Sequence, residues 1–376
     1  MLENRLEQII MKKIEREGPV TFETFMEMAL YHPQGGYYMS DAVRIGPGGD
    51  FYTGPHLHPI FGWLLAVQLD EMKRIIGDPE RFAIVEVGAG KGFLAEGIIS
   101  YVMDELSWKH GWRYVIVEKN PSAVEVQKRI LGRYGDLLEW KSSLDQVDRF
   151  CGCVVSNELL DAFPVHLLRM NEQAVPREIY VGSNDKAFKE IDGDLSTSDL
   201  EAYIKRYRLP KISGYRTEAN LRVENFLANL NHILAEGFII TIDYGYCAHE
   251  YYSPQRRKGT LLAYSNHRVN ENPLANVGNQ DITAHINFTA LSDWGEKSGL
   301  KTIGYCSQGA FLASLGIDRL VARELERDKT FQSELLKIKG LLFGMGDSHQ
   351  VMLQYKGRKG LESLRGLSLS NRINRL

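Results

Sequence analysis

Residues 82–87, Phe-Ala-Ile-Val-Glu-Val, are apolar at every position but one and run directly into Gly88-Ala89-Gly90-Lys91-Gly92. An unbroken apolar run of this length is what a strand buried on both faces requires, and such strands belong to parallel sheets covered by helices. The glycines suit a tight turn in which the backbone passes close to a ligand, because glycine tolerates positive φ and carries no Cβ. The chain is thereby held to an α/β architecture with a ligand seat at its first strand-to-helix turn.

The remaining pattern agrees. Residues 60–76 and 93–103 read as helices on either side of this strand, and residues 114–117 as a second strand. Asn120 as N-cap and Pro121 at the first helical position open the next helix. Further strands are expected at 137–140, 153–156 and 238–242, the last after a helix that Gly237 would cap, and a final pair at 301–305 and 350–355. Ahead of the sheet, Leu2, Leu6, Ile9, Ile10 and Ile14 fall on one helical face, residues 21–30 form another helix, and residues 31–59 a long irregular loop. The expected organisation is N-terminal helices and a Gly-rich lid loop over 1–80, packed on the core. The sheet domain spans 81–356 with insertions at about 166–215 and 246–288 near the sheet's carboxyl edge, and 357–376 is a basic, mobile tail.

With 45 basic and 48 acidic residues the formal charge is -3, so no global field gathers nucleic acid, and no apolar run is long enough to span a membrane. The N-terminus reads as neither signal nor transit peptide, which makes a cytoplasmic location the expectation. Cys151, Cys153, Cys247 and Cys306 form no C-x-x-C pair, and His56 and His58 lack evident third and fourth ligands, so no metal is expected.

The spacing acidic-x-Gly-x-Gly-x-Gly, from Glu86 through Gly88 and Gly90 to Gly92, puts Phe93 where a dinucleotide fingerprint wants glycine. It puts Gly92 where a phosphate-binding loop wants Ser or Thr. Glu118, at the end of the second strand, can accept from both hydroxyls of a ribose. Apart from Lys91 the loop has no partner for phosphate, which S-adenosylmethionine does not need. Its amino-acid end suits backbone amides and Glu86, its ribose Glu118, and its adenine Ser142, Ser143 and Leu144.

After the fourth strand, Ser156-Asn157-Glu158-Leu159-Leu160-Asp161-Ala162-Phe163-Pro164 sets an amide and two carboxylates at the sheet's carboxyl edge, where open α/β sheets bind ligands. A sulfonium already activates its methyl group, so the protein's task is to align a nucleophile. Paired acids orient a planar guanidinium and accept the proton that methylation releases. Glu158 and Asp161, with Asn157 beside them, are the candidate catalytic residues, and Asp50, Asp243 and Asp281 stand behind them. The Gly-rich stretch that contains Asp50, Phe51, Tyr52 and Thr53 reads as a lid.

Six separated segments resemble the MidA-like family, whose mitochondrial members are complex I assembly methyltransferases. They are Gly49-Asp50-Phe51-Tyr52-Thr53, Glu86 to Gly92, Ser156 to Val165, Gly214-Tyr215-Arg216-Thr217-Glu218, Ile242-Asp243-Tyr244-Gly245-Tyr246 and Gly278 to His285. The resemblance implies a Rossmann-like, seven-stranded class I methyltransferase fold, S-adenosylmethionine as cofactor and S-adenosylhomocysteine as product. It also implies protein arginine methylation, with a protein substrate such as a respiratory-complex subunit. Two positions depart from the family pattern: Gly54-Pro55-His56 stands where Ser-Pro-Glu is expected, and Ala89 where Pro is common. Methylation of a small molecule or of another side chain, a non-catalytic assembly factor on the same fold, and a homodimer all stay open on the sequence.

Overall fold

The computed structural model describes residues 5–40, 54–106, 108, 110–184, 187–265, 268–358, 360–361 and 363–376 of the 376. Seven strands make the main sheet: β1 (Phe82–Val87), β2 (Trp112–Val117), β3 (Leu138–Lys141), β4 (Phe150–Asn157), β5 (Leu234–Tyr246), β6 (Lys301–Ser307) and β7 (His349–Lys356). Their order is β6-β7-β5-β4-β1-β2-β3, with β7 antiparallel to both neighbours and β1 to β5 parallel. This is the Rossmann-like methyltransferase sheet expected from the sequence. A short strand, Ile286–Asn287, adds to the end of β5.

All six residues of β1 are buried. Ile84 packs with Leu65 and Ile98 from the helices Ile60–Ile75 and Phe93–Tyr101 on one face, and Val85 with Leu227 and Leu291 from the helices Arg222–Ile233 and Phe288–Lys297 on the other. Burial on both faces contributes roughly 1.5–3 kcal/mol for each such side chain, which explains why the run has no alternation. The chain leaves β1 for β2 and β3 on one side and returns to β4 on the other, opening a crevice at the carboxyl ends of β1 and β4. Asn120 caps the helix Pro121–Leu131, its Oδ1 accepting from the Ser122 amide at 2.9 Å.

Three expectations are corrected. Gly237 is not a helix cap: the helix ends at Ile233 and Gly237 lies inside β5, facing Gly152 of β4. A Cβ there would fall 1.8 Å from the Gly152 carbonyl oxygen, so close strand approach is what requires glycine. The helices Arg5–Glu17 and Phe22–Tyr31 pack on the inserted segments rather than on the main sheet. Leu6, Ile10, Phe22, Phe25 and Met26 share one core with Leu167, Ile179 and Val181 of a second sheet and with Ala263 and Ile282 of a third, whose apolar faces they cover.

Residues 363–376 of the tail, expected to be mobile, are docked. Leu364 and Leu367 are buried in the main core, the Gly366 amide donates to Gln68 Oε1 at 2.9 Å, and Arg375 pairs with Glu250 at 2.6 Å. The spaced leucines supply the anchor that the basic composition hides. Among the described residues no helix is long and apolar enough to cross a membrane. Leu367→Ala is expected to lower unfolding stability by about 2–4 kcal/mol, measured by urea denaturation. An unchanged midpoint would mean that the tail does not hold this place in solution.

Candidate functional site

The site begins at the end of β1, where Gly88, Gly90 and Gly92 take φ of +74°, +55° and +87°. A Cβ on Gly88 would meet Leu159 Cδ1 at 2.8 Å, which draws the turn after β4 tightly against the glycine turn. Gly92 closes the turn as the cap of helix Phe93–Tyr101. One buried side chain, Gln127, ties three strand ends together. Its Nε2 donates to the Gly90 carbonyl at 2.9 Å and to Glu118 Oε2 at 3.3 Å, and its Oε1 accepts from the Trp140 indole at 3.0 Å.

Two carboxylates face this turn. Glu86 is buried and accepts from the Tyr114 hydroxyl at 2.7 Å. Burial pushes its carboxyl up to about 7, a shift that the Tyr114 bond reduces and the nearby Glu118 charge increases. Glu118 Oε1 accepts from the Asn120 amide at 3.0 Å, and burial raises its carboxyl as well.

At the end of β4 the backbone of Glu158 sits at φ +48°, a conformation side chains other than glycine, Asn and Asp rarely adopt. The Glu158 amide donates to the Ile242 carbonyl at 2.9 Å. Asp243 at the end of β5 locks the residues that follow: its Oδ2 accepts from the amides of Leu160 (2.9 Å) and Asp161 (3.3 Å), and its Oδ1 from the Tyr244 amide (2.8 Å). The Glu158 carboxylate receives Asn157 Nδ2 at 3.3 Å on Oε1 and the Tyr244 hydroxyl at 3.3 Å on Oε2. His349 Nε2 lies 3.5 Å from Oε1. Burial, then the charges of Asp243, Glu158 and Asp281, drives the Asp161 carboxyl upward.

These ends open into a cleft of about 710 Å³. Glu86, Gly88, Gly90, Glu118, Ser143, Leu144, Asn157 and Glu158 line it together, as do Ser142 and Asp145. Gly92 serves the turn instead. Asp161, Asp243 and Asp281 are not lining residues: Asp243 braces the turn, and Asp281 accepts from the Tyr38 hydroxyl at 2.8 Å. Asp50, Phe51, Tyr52 and Thr53 lie outside the described residues. Pro55 and His56, which follow them, do line the cleft. His56 stands edge-on to Phe93, and burial, then the Lys91 charge, lowers its pKa to about 4. His58 turns the other way, accepting from the Ile60 amide and packing on Trp63 and Phe331.

Several lining residues carried no motif. Tyr31 and Tyr38 stack at 5.5 Å over the cleft; the Tyr31 hydroxyl donates to the Ala162 carbonyl at 3.0 Å, and Asn120 Nδ2 donates to the Tyr38 carbonyl at 2.8 Å. The density of aromatics in residues 31–38 was their only trace. Arg222, paired with Glu23 and Glu27, and the face of its helix bearing Asn225, Phe226 and Asn229 complete the wall. Tyr244 lies within the segment 242–246 but was given no role there, while Gln127 and His349 are single residues on otherwise ordinary elements, with nothing local to single them out.

The arrangement fits S-adenosylmethionine by observations independent of motif. Asn157 Oδ1 is buried without a hydrogen-bond partner at the cleft wall, an acceptor awaiting a donor. The positive-φ glycines leave the β1 turn open to close approach, while Glu86 and Glu118 offer acceptors for an ammonium and for ribose hydroxyls.

Comparison with known proteins converges on the same chemistry. The sequence profile of a family described as S-adenosyl-L-methionine-dependent methyltransferases matches residues 64–306. The chain is 26% identical over 359 residues to the Drosophila melanogaster mitochondrial protein arginine methyltransferase NDUFAF7 homolog, covering 84% of this chain and 77% of that one. It is 25% identical over 334 residues to human mitochondrial protein arginine methyltransferase NDUFAF7, covering 82% and 73%. A solved COG1565 superfamily member from Burkholderia thailandensis, bound to S-adenosyl-homocysteine, superposes with a TM-score of 0.90 at 30% identity over 99% of this chain and 96% of that one.

The Glu86 carboxyl gives a pH test. Its pKa in the folded chain is raised, so the free protein holds the proton at lower pH, whereas an ammonium needs the carboxylate. Affinity for S-adenosylhomocysteine is expected to be full above pH 7 and to fall as pH drops below it, by up to about tenfold per unit. Calorimetric titration checks this, with Glu86→Gln expected to flatten the dependence; a steep dependence that survives in Glu86→Gln would place the titrating group elsewhere.

Proposed function

The chain belongs to the Methyltransf_28 family of S-adenosyl-L-methionine-dependent methyltransferases, and S-adenosylmethionine is its cofactor; from that premise we propose that its acceptor is an arginine side chain of a protein substrate. One observation carries this reading: the Glu158 carboxylate is held at the cleft wall on a left-handed backbone, between the Asn157 amide and the Tyr244 hydroxyl. Non-glycine residues stay in that conformation only where their surroundings over-determine it, and such sites concentrate where chemistry is done. The names of the fly and human relatives support the choice of arginine.

When bound, the cofactor supplies a methyl group already activated on a sulfonium. In this reading Glu86 and the backbone of Gly88 and Gly90 hold its amino-acid end, Glu118 its ribose, and Ser143 and Leu144 its adenine. Glu158 orients the guanidinium by charge-assisted hydrogen bonds and accepts the proton released on methylation. Asn157 offers its partnerless Oδ1 to a neighbouring N–H. Asp161 and Asp243 act through the turn that carries Glu158, and Tyr31, Phe163 and Phe226 keep water from the reacting atoms.

Incubation with labelled S-adenosylmethionine and cellular protein, followed by acid hydrolysis, tests the acceptor: label is expected in methylarginine. Glu158→Gln is expected to lower kcat on the order of 10²–10⁴-fold with S-adenosylhomocysteine affinity retained. Label recovered only in another amino acid, or only in small molecules, would contradict the reading.

A further inference from the structure

His349 opens β7 and is 1% exposed. Its Nδ1 lies 3.0 Å from the Met345 carbonyl oxygen and 3.0 Å from Ser348 Oγ. A carbonyl only accepts, so Nδ1 carries the hydrogen, and the tautomer with its hydrogen there alone presents Nε2 as a bare lone pair. That nitrogen is buried without a hydrogen-bond partner, and it faces Glu158 Oε1 at 3.5 Å. A bare nitrogen beside a carboxylate oxygen is an arrangement of two acceptors, which becomes favourable when a proton comes between them.

We propose that His349 receives, through Glu158, the proton released when arginine is methylated. The inference rests on the arginine reading above. The guanidinium nitrogen forms its bond to the methyl carbon as the carbon–sulfur bond of the sulfonium breaks, and that electron pair leaves with sulfur. One N–H proton passes to Glu158 and from there to Nε2. The products are a thioether, a methylguanidinium, the carboxylate of Glu158 and the imidazolium of His349, so atoms and charge balance. When product leaves, the proton returns to solvent through Glu158 at the cleft wall.

The surroundings favour this acceptor. Facing the ring are Glu158, Asp243, the Tyr244 ring tilted at 43° with its centroid 3.9 Å away, and His285. The carboxylates stabilise an imidazolium, while burial, then the Arg256 charge, brings His285 down to about 4, so it stays neutral and does not repel. His349 touches no substrate atom in this scheme. It acts by emptying Glu158 while the acceptor is still in place.

The test uses the full chain with an arginine-containing peptide. His349→Asn keeps an N–H donor near the Met345 carbonyl but cannot take a proton at the Nε2 position; His349→Gln places an amide there and guards against a local packing defect. Both are expected to lower kcat on the order of 10²-fold, leaving peptide KM and S-adenosylhomocysteine affinity unchanged and removing the limb of the kcat–pH profile that the ring sets. Ring ¹⁵N spectra of the ligand-free protein are expected to show hydrogen on Nδ1 and none on Nε2 at the pH of maximal activity. Full kcat in either variant beside an arginine-active wild type, or hydrogen found on Nε2 with Nδ1 bare, overturns the inference alone. A wild type that methylates no arginine overturns the arginine reading, and the inference with it.

Discussion

The carboxylate of Asp243 is the joint on which the site turns. It gathers three backbone amides, those of Leu160, Asp161 and Tyr244, and so binds the turn after β4 to the end of β5. Its two oxygens accept all three, and although burial pushes the carboxyl up to about 7, the Leu160 and Tyr244 amide bonds favour its charged form; that anchoring is needed here. Glu158 just upstream is held in a left-handed conformation that costs of order 1–3 kcal/mol. Fixing its successors while its own amide is held by Ile242 leaves Glu158 little freedom to relax. Burial, and then the neighbouring charges, drive the carboxyls of both Asp161 and Asp243 upward, so the cluster does not carry all its charges at once.

Around this joint the two halves of the cleft have different owners. The main sheet supplies the cofactor half: Glu86, the glycine turn and Glu118 are neighbours because β1 and β2 pair in parallel from Phe82 and Trp112 to Val87 and Val117, and Gln127 holds their ends in register. The other half comes from outside the sheet. Tyr31 and Tyr38 reach the cleft because the N-terminal helices are packed into the inserted sheets, whose cores they complete. Binding elements drawn from segments that vary independently of the scaffold are where substrate choice is set in α/β enzymes.

Much of the main sheet was legible because its signals are local. The apolar run 82–87, the Asn120-Pro121 cap and the later apolar runs each announce an element through a handful of adjacent residues. What stayed hidden depends on contacts distant in sequence. Gly237 looks like a cap until Gly152 is seen opposite it, and Leu364 and Leu367 look like part of a basic tail until Gln68 and the core receive them. In the site, Glu86, Glu118 and Glu158 stand at strand ends where sheet geometry puts ligands, so their places followed from the strands. Asp161 and Asp243 sit within the same motifs, yet their side chains turn to backbone and to each other's charge rather than to the cleft. His349 had no signal at all, since a lone histidine before a strand acquires meaning only from Glu158, far upstream.

A crystal structure with S-adenosylhomocysteine tests most directly the claim that β1, β2 and the turn after β4 together seat the cofactor beside the reacting group. The ribose hydroxyls are expected on Glu118, the amino-acid end along Gly88 and Gly90, and the sulfur directed toward Glu158. A ligand bound with its ribose elsewhere, or with its sulfur turned away from Glu158, would contradict it.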